Sequence, residues 1–518
     1  MVLTESDIAA FLVSPQTWGA DVVQVETLET HISRIFIGGE RVLKLKRHVV
    51  YPYLDFSTIE KRKRACDAEV LINRRTAPRL YKGVISINRD SDGKLHLDGS
   101  GEAVEWLVEM ARFDQDGLFD RMAKVGKLDR KLMEQTAGAI ADFHQHAVRV
   151  PEASGLAAVA YVLENNRQCF NDSCPQYFTR DALQNLYALY ERKMRDLDSV
   201  LDQRSQAGLV RHCHGDLHLR NICLFEDKPT LFDAIEFNEK FSNIDILYDL
   251  AFLLMDLEHN GLRRLANVVA NRYFDVSGRA AEDAGGFQVL GLFLSIRAAV
   301  RAHVDATQAK LLDDPTLGKQ RADEALRYFN RAVEYLQPAQ PRLIAVGGLS
   351  GSGKSRMARE LASLVGAAPG ARVVRTDVTR KRLAGRELHV RLGPEGYTAE
   401  MNTRTYEAFY NEIRKCLSEG QSVIADAVFA RPHERDRIGE IAVAAGVPFD
   451  GLWLQASRTE MVKRVTERKN NVSDAGSDIV DQQLQYDLGD IAWRIIDSSG
   501  SREQTIDAGR TALGLSEI

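Results

Sequence analysis

The chain has little cysteine, little proline and no long apolar run. Its 518 residues hold six cysteines and 13 prolines. No two cysteines stand as CxxC, so the spacing argues against a disulfide framework and a zinc ribbon, and the thiols read as reduced. The longest apolar stretch, Val289-Leu290-Gly291-Leu292-Phe293-Leu294-Ser295-Ile296, stops at Arg297 and is too short to span a bilayer. Glu5 and Asp7 occupy the region where a signal peptide would carry basic residues. The expectation is therefore a cytoplasmic protein with no membrane partner. Neither sign of charge dominates: the net charge is −5, and the segment from Arg342 onward holds 25 basic and 24 acidic residues. That balance does not favour nucleic acid as a partner. The densest basic run, Lys61-Arg62-Lys63-Arg64, sits in a helical stretch beginning Ser57-Thr58-Ile59-Glu60 and reads as a solvated helix face. Nothing in the sequence sets an oligomeric state.

What is present is a chain too long for one core, with the 44% hydrophobic and 27% charged content of a globular protein. Its most informative stretch is Gly348-Leu349-Ser350-Gly351-Ser352-Gly353-Lys354-Ser355, which has the form of a glycine, four residues and Gly-Lys-Ser. An apolar run, Arg342-Leu343-Ile344-Ala345-Val346, precedes it, and Met357, Leu361, Leu364 and Val365 follow at helical spacing. Strand, glycine loop and helix is the context the motif requires. The glycines let backbone N–H groups turn toward phosphate oxygens, and the helix N-terminus adds partial positive charge. Lys354 is then expected to reach the β- and γ-phosphates of ATP, and Ser355 to ligate Mg2+.

Gln337-Pro338-Ala339-Gln340-Pro341 marks the expected boundary, with domains at 1–337 and 342–518. Beyond it, apolar strands are expected at 343–346, 372–376, 422–425, 451–455 and 494–497. Helices are expected between them at 355–364, 400–417, 434–445 and 459–469. That alternation predicts an α/β doubly wound parallel sheet with its site at the strand C-terminal ends. The first 337 residues read differently. A hairpin, Ser33 to Ile37 and Arg41 to Lys46 around Gly38-Gly39, is followed by a helix carrying Glu69 and a strand over 103–110. Long helices then dominate from Leu128.

Within this part runs His214-Gly215-Asp216-Leu217-His218-Leu219-Arg220-Asn221, then Leu231-Phe232-Asp233. The pattern His-Gly-Asp-x-His-x-x-Asn, followed by an apolar strand ending in Asp, resembles the aminoglycoside phosphotransferase family. The resemblance spans roughly residues 33–336 and implies an α+β two-lobed protein-kinase-like fold. It implies Asp216 as the carboxylate that orients the attacking hydroxyl, with Asn221 and Asp233 holding Mg2+ on ATP. It also implies a strand lysine paired with a helix glutamate. Lys44 and Glu69 are the candidates, with Lys46 on the same strand face as a rival to Lys44. The segment 27–32, where a phosphate-covering loop would lie, contains no glycine, which leaves the activity of this module open. His212, Cys213, His214 and His218 cluster but fit no standard zinc spacing. His144 and His146 are expected on a helix beneath the loop, and Asp245 and Asp249 as helix-start and loop-bracing groups.

The C-terminal part resembles small P-loop kinases that phosphorylate hydroxyls, such as gluconate kinase, the zeta-toxin kinases and the 5′-hydroxyl polynucleotide kinases. The residues that carry the likeness are the phosphate loop, Asp377 with Arg380 in Asp-x-x-Arg, Asp426 at a strand end, and the helix bearing Arg458, Arg464 and Arg468. The resemblance implies Asp377 as the base toward the acceptor hydroxyl, Arg380 as an acceptor ligand, and Arg464 or Arg468 as the arginine that meets transition-state charge. Asp426 either binds the magnesium shell or caps the helix after Pro432. The expectation is an ATP-dependent phosphotransferase, bifunctional, acting on a sugar, sugar alcohol or aminocyclitol hydroxyl. The alternatives are a nucleic-acid 5′-hydroxyl kinase in the C-terminal domain, or a regulatory ATP switch with one inactive module.

Overall fold

The structure is a computed structural model and describes residues 3–515, apart from 31, 52–53, 152–153, 174, 279–281, 283 and 468–475. It divides into two compact units, Met1–Gln168 with Leu201–Asp256, and Cys169–Val200 with Leu257–Ile518. Residues 257–336 thus belong to the same unit as the P-loop sheet.

The first unit is built on an antiparallel sheet in the order Val25–Glu29, Ser33–Gly38, Arg41–Lys46, Glu102–Ala111, Tyr81–Arg89, Leu95–Leu97. The expected hairpin is present, but Gly38 still pairs with Arg41 and the chain turns at Gly39 and Glu40, where Gly39 has φ +57°. The glycine-free segment forms the outer strand Val25–Glu29 and a turn in which Thr30 Oγ1 both donates to Ser33 O and accepts from Ser33 N, each at 3.0 Å. Arg41–Lys46 is flanked on both sides, so Lys44 and Lys46 point together from a strand that cannot shift register. The helix Ile59–Asn73 packs beside them and begins at Thr58, whose hydroxyl accepts from Lys61 N. Its basic run is not uniformly solvated. Arg62 is buried against Glu105, donating from Nε and Nη2 at 3.0 and 2.7 Å. A buried carboxylate on the neighbouring strand, invisible to helix periodicity, draws it inward.

The second unit contains a parallel sheet in the order Arg372–Arg375, Val423–Asp426, Leu343–Gly347, Phe449–Gln455, Arg494–Asp497. The inner strands Leu343–Gly347 and Val423–Asp426 are near-continuously apolar and buried because both faces are covered, whereas the edge strand Arg494–Asp497 is mostly exposed. Leu343 and Ala345 face one cluster with Phe409, Ile413 and Ile438; Ile344 and Val346 face the other with Met357, Leu361 and Leu454. All five expected strands are present. The strand expected over 372–376 ends at Arg375, and the helix Thr376–Leu383 begins at once, so Asp377 lies in a first helical turn rather than at a strand end.

The apolar stretch around Val289 lies in the helix Gly286–Leu311. By length and composition that helix could cross a membrane, but 72% of its most apolar window is buried inside the protein. It lies against the helix Pro315–Tyr335, with Ser295 Oγ donating to Ala332 O at 2.6 Å.

Candidate active sites

In the first unit, the short strand Val210–His212 pairs with Asn243–Asp245 and delivers the chain into the loop beginning at His214. Gly215 has φ +85°, and a Cβ there would lie 2.8 Å from Phe241 O, so only glycine fits this turn. Asp249, fully buried at the start of the helix Ile246–His259, accepts from His214 N at 3.0 Å and from Gly215 N at 2.9 Å. His144 Nε2 lies 3.1 Å from the same carboxylate. Asp256, near the end of that helix, accepts from Leu219 N at 2.9 Å. His144 therefore sits beneath the loop and Asp249 braces it, as the sequence suggests. His144, Cys213 and Asp249 do bring three donor atoms within 4.8 Å. Both Asp249 oxygens nevertheless accept backbone N–H groups, which is the bonding of a brace. Asp245 accepts Leu247 N at 2.8 Å and a two-point bond from buried Arg204.

On this loop Asn221 Nδ2 donates to Asp216 Oδ2 at 2.8 Å and to Asp216 O at 2.9 Å. The amide is thereby oriented, with its Oδ1 accepting nothing from the described residues. The hairpin Ile222–Phe225 and Lys228–Leu231 then returns the chain, and Asp233 adopts φ +60°. Its carboxylate Oδ1 accepts from Lys44 Nζ at 2.6 Å, while Lys44 Nζ also reaches Glu69 Oε1 at 2.8 Å. Lys44, Glu69 and Asp233 thus converge from three separate elements. The rival Lys46 reaches the other oxygen of Glu69 at 2.5 Å and Glu236 Oε1 at 2.5 Å. Both lysines use Glu69, but only Lys44 bonds to Asp233.

The electrostatics follow from that sharing. Burial opposes the charge on Lys44, yet Asp233 and Glu69 outweigh it and hold its pKa well above the usual lysine range. Burial likewise opposes the Glu69 carboxylate, and the two lysines overcome it, bringing its pKa down to about 2. For Glu236, burial and the neighbouring Glu69 carboxylate together outweigh Lys46 and Lys44, and its pKa is raised. Glu236 was not singled out from sequence. Its signal was its place three residues after Asp233.

In the second unit, Gly348, Gly351 and Gly353 have φ of +139°, +87° and +96°. A Cβ on Gly351 would meet Met461 O at 2.5 Å, so the loop is pressed against the helix Arg458–Thr466. The helix Lys354–Ala362 starts directly at Gly353, placing Lys354 and Ser355 in its first turn. Ser350 and Ser352 are buried within the loop. Arg464 donates from Nη2 to Ser498 O at 2.6 Å and from Nη1 to Gly351 O at 3.5 Å, so it lies against the loop backbone. Arg458 pairs with Asp481. Arg468 lies outside the described residues.

Asp426 is buried at the end of its strand. Its Oδ2 accepts from Arg375 Nε at 3.1 Å, and its Oδ1 has no hydrogen-bond partner among the described residues. The helix Pro432–Ala445 is capped at Arg431, so Asp426 does not cap it. Burial opposes the charge on Arg375, and Asp426, Asp377 and Asp275 outweigh it, raising its pKa. Asp377 is partly exposed, and the helix it lies in has Arg375 at the N-cap with no side-chain capping bond. Arg380 is buried one turn on. Its Nη1 donates to Gly396 O at 2.9 Å and its guanidinium lies 4.9 Å from the Tyr397 ring centroid.

Two family models each match a part of this chain. Residues 100–284 match the phosphotransferase enzyme family, and residues 343–487 match a family described as an AAA domain. An uncharacterized protein of Mycobacterium tuberculosis is 28% identical over 496 residues, covering 93% of this chain and 94% of its own length. Among solved structures, a choline/ethanolamine kinase family protein from Mesorhizobium loti is 13% identical, covering 64% of this chain and 99% of its own, with a TM-score of 0.37. A sugar kinase from Janibacter sp. is 21% identical, covering 34% and 96%, with a TM-score of 0.26. The phosphotransferase-family match spans the loop of Asp216, Asn221 and Asp233, and the other spans the phosphate loop of Lys354. The chain therefore carries, in series, a phosphotransferase-family domain of protein-kinase-like fold and a P-loop domain, the modules of an ATP-dependent kinase.

Proposed function

We propose that the protein transfers the γ-phosphate of ATP to a hydroxyl group of a small molecule, with a complete site in each module. The observation that supports it most is the convergence of Lys44, Glu69 and Asp233, with bonds of 2.8 and 2.6 Å, beside the Asp216–Asn221 pair at 2.8 Å.

The donor sets fit a magnesium nucleotide. In the first unit Asn221 Oδ1 and the second oxygen of Asp233 accept nothing among the described residues, and neutral and anionic oxygens are what Mg2+ takes. In the second unit Ser355 stands in the first turn after the glycine loop, and Asp426 offers an unpartnered oxygen. When bound, magnesium ATP supplies the phosphoryl group and neutralises its charge. Lys44, oriented by Glu69, holds phosphate oxygens in the first module, and Asp216 orients and finally deprotonates the acceptor hydroxyl. In the second module Lys354 and the loop amides hold the phosphates, Asp377 acts on the acceptor hydroxyl, and Arg380 fixes the acceptor side. Arg464 steadies the loop through Gly351, and Arg468 remains a proposed partner of transition-state charge.

Sugars, sugar alcohols and aminocyclitols are the acceptor class proposed. The test incubates the full chain with γ-labelled ATP and a metabolite extract, then identifies the labelled product. Label found only in free phosphate, with no transfer to any metabolite, would count for a nucleotide-hydrolysing switch instead. Calorimetry on the full chain complements it: two ATP equivalents are expected, one removed by Lys354→Ala and the other by Asp233→Ala.

A further inference from the structure

Three side chains outside the glycine motif hold the phosphate loop. Ser498 Oγ donates to Ser352 O at 2.7 Å, and Arg464 Nη1 donates to Gly351 O at 3.5 Å. Gln483, the last residue of the helix Ser477–Gln483, does something different: its Oε1 accepts from Ser350 N at 2.8 Å. Two of the three thus bind loop carbonyls, and Gln483 binds a loop amide. Amides are the groups with which such a loop binds phosphate.

The orientation of the Gln483 carboxamide is fixed by chemistry. A backbone N–H can only donate, so Oε1 must face Ser350 and Nε2 must face away. Gln483 is only 9% exposed, and its Nε2 makes no hydrogen bond to any described residue. Nε2 is not among the fully buried unpartnered atoms, so this donor is both unspent within the protein and open to an acceptor from outside it. The place is suited to an anion. A nucleotide held by this loop would set a phosphate at the helix N-terminus at Gly353 and Lys354, and Ser350 precedes that point within the same glycine loop.

We propose that Gln483 is a nucleotide-binding residue that donates from Nε2 to the terminal phosphate of ATP in the P-loop site, and so distinguishes triphosphate from diphosphate. The proposal rests on the P-loop being an ATP site. The test uses the full chain carrying Asp233→Ala, which silences the first module, and measures affinity for ADP and for a non-hydrolysable ATP analogue by calorimetry. Gln483→Glu keeps an acceptor for Ser350 N but has no donor and adds negative charge. It should weaken the analogue by about ten-fold or more, the ordinary worth of a hydrogen bond to a charged group, and change ADP by less than about three-fold. Gln483→Met, of similar length and apolar, should weaken both ligands and still lower the analogue-to-ADP preference. Preference retained in both variants overturns the proposal while leaving the ATP site standing. Failure of the Asp233→Ala parent to bind either nucleotide overturns both.

Discussion

Asn271 Oδ1 accepts the backbone N–H of Val373 at 2.8 Å, so a helix side chain completes the hydrogen bonding of an edge strand. Asn271 Nδ2 and Asn267 Nδ2 both donate to Ala371 O at 3.1 Å. Both asparagines lie on the helix Arg263–Val276, before the proline-bounded linker, and the strand lies after it. Beside them Arg372, almost fully buried, pairs with Asp275, Glu282 and Glu412. The strand that leads to Asp377 is therefore held by residues from 257–336.

A chain beginning at Ala339 loses Asn267, Asn271, Asp275 and Glu282 at once. It exposes an unpaired strand edge and leaves Arg372 with Glu412 alone. Removing partners from a buried charge costs about 3–5 kcal/mol, a large share of a domain's stability. The 339–518 fragment should unfold at a markedly lower temperature than the intact chain, or not fold. In the intact chain, Asn271→Leu should cost about 1–3 kcal/mol through the orphaned Val373 N–H. Both are read by urea or thermal unfolding followed by circular dichroism, and a fragment as stable as the parent would show that the strand needs no such brace.

Glu69 and Glu236 should respond unequally to loss of charge. Glu69→Gln leaves two buried lysines with Asp233 and Glu236, and should cost about 3–5 kcal/mol of stability together with nucleotide binding in the first module. Glu236→Gln leaves Lys44 and Lys46 both paired with Glu69 and removes a carboxylate whose burial already disfavours its charge, and should change stability by less than about 1 kcal/mol. Urea unfolding of the two variants checks the contrast.

The same pair sets a pH dependence. The folded pKa of Glu69 is depressed from 4.5 to about 2, so its stabilisation is complete above about pH 4.5 and is lost as pH falls toward 2. The folded pKa of Glu236 is raised above 4.5, so its contribution is complete below pH 4.5 and is lost as pH rises through the folded value. The cluster's contribution should therefore peak near pH 4.5. Unfolding measured across pH should show Glu236→Gln removing the decline on the alkaline side and Glu69→Gln removing the decline on the acid side.

The parts legible from sequence were those whose logic is local. The phosphate loop occupies eight consecutive residues, and Asp216 and Asn221 share one loop. Strand and helix alternation after Arg342 needs only apolar periodicity. The parts not legible depend on partners far apart in the chain. Lys44 and Lys46 are equivalent by strand periodicity, and only the return of Asp233 separates them. The pattern Val373-Val374-Arg375-Thr376 reads as continuing strand. The structure ends that strand at Arg375, whose side chain turns to Asp426 on the neighbouring strand. Gln483 binds Ser350 across 133 residues, and no spacing rule could have joined them. Arg62 looked solvated because its partner, Glu105, lies on a strand 43 residues away.

Asp377 offers the test that separates a kinase from a nucleotide switch in the second module. A domain that only binds and hydrolyses ATP requires Lys354, Ser355 and a carboxylate for the magnesium shell. A kinase also requires a carboxylate aimed at an acceptor hydroxyl. Asp377 lies one residue beyond the first position of its helix, and Arg375 holds the N-cap without a side-chain capping bond. Capping therefore does not account for Asp377. It is partly exposed while Asp426 is buried, so the two carboxylates differ in access. Asp377 also helps sustain the charge on Arg375, after Asp426, so its removal should leave that pairing intact. Asp377→Asn is expected to leave ATP affinity within a few-fold and to lower phosphoryl transfer by roughly 10²–10⁴, the usual worth of a positioned base. The assay uses the full chain with Asp216→Ala, so that the first module contributes no product, and follows label from γ-labelled ATP into the acceptor identified by the extract screen. The thermal midpoint should stay unchanged, because Asn keeps the size and hydrogen-bonding shape of Asp. Transfer that is equally fast in the Asp377→Asn variant would remove Asp377 as the base and favour the switch.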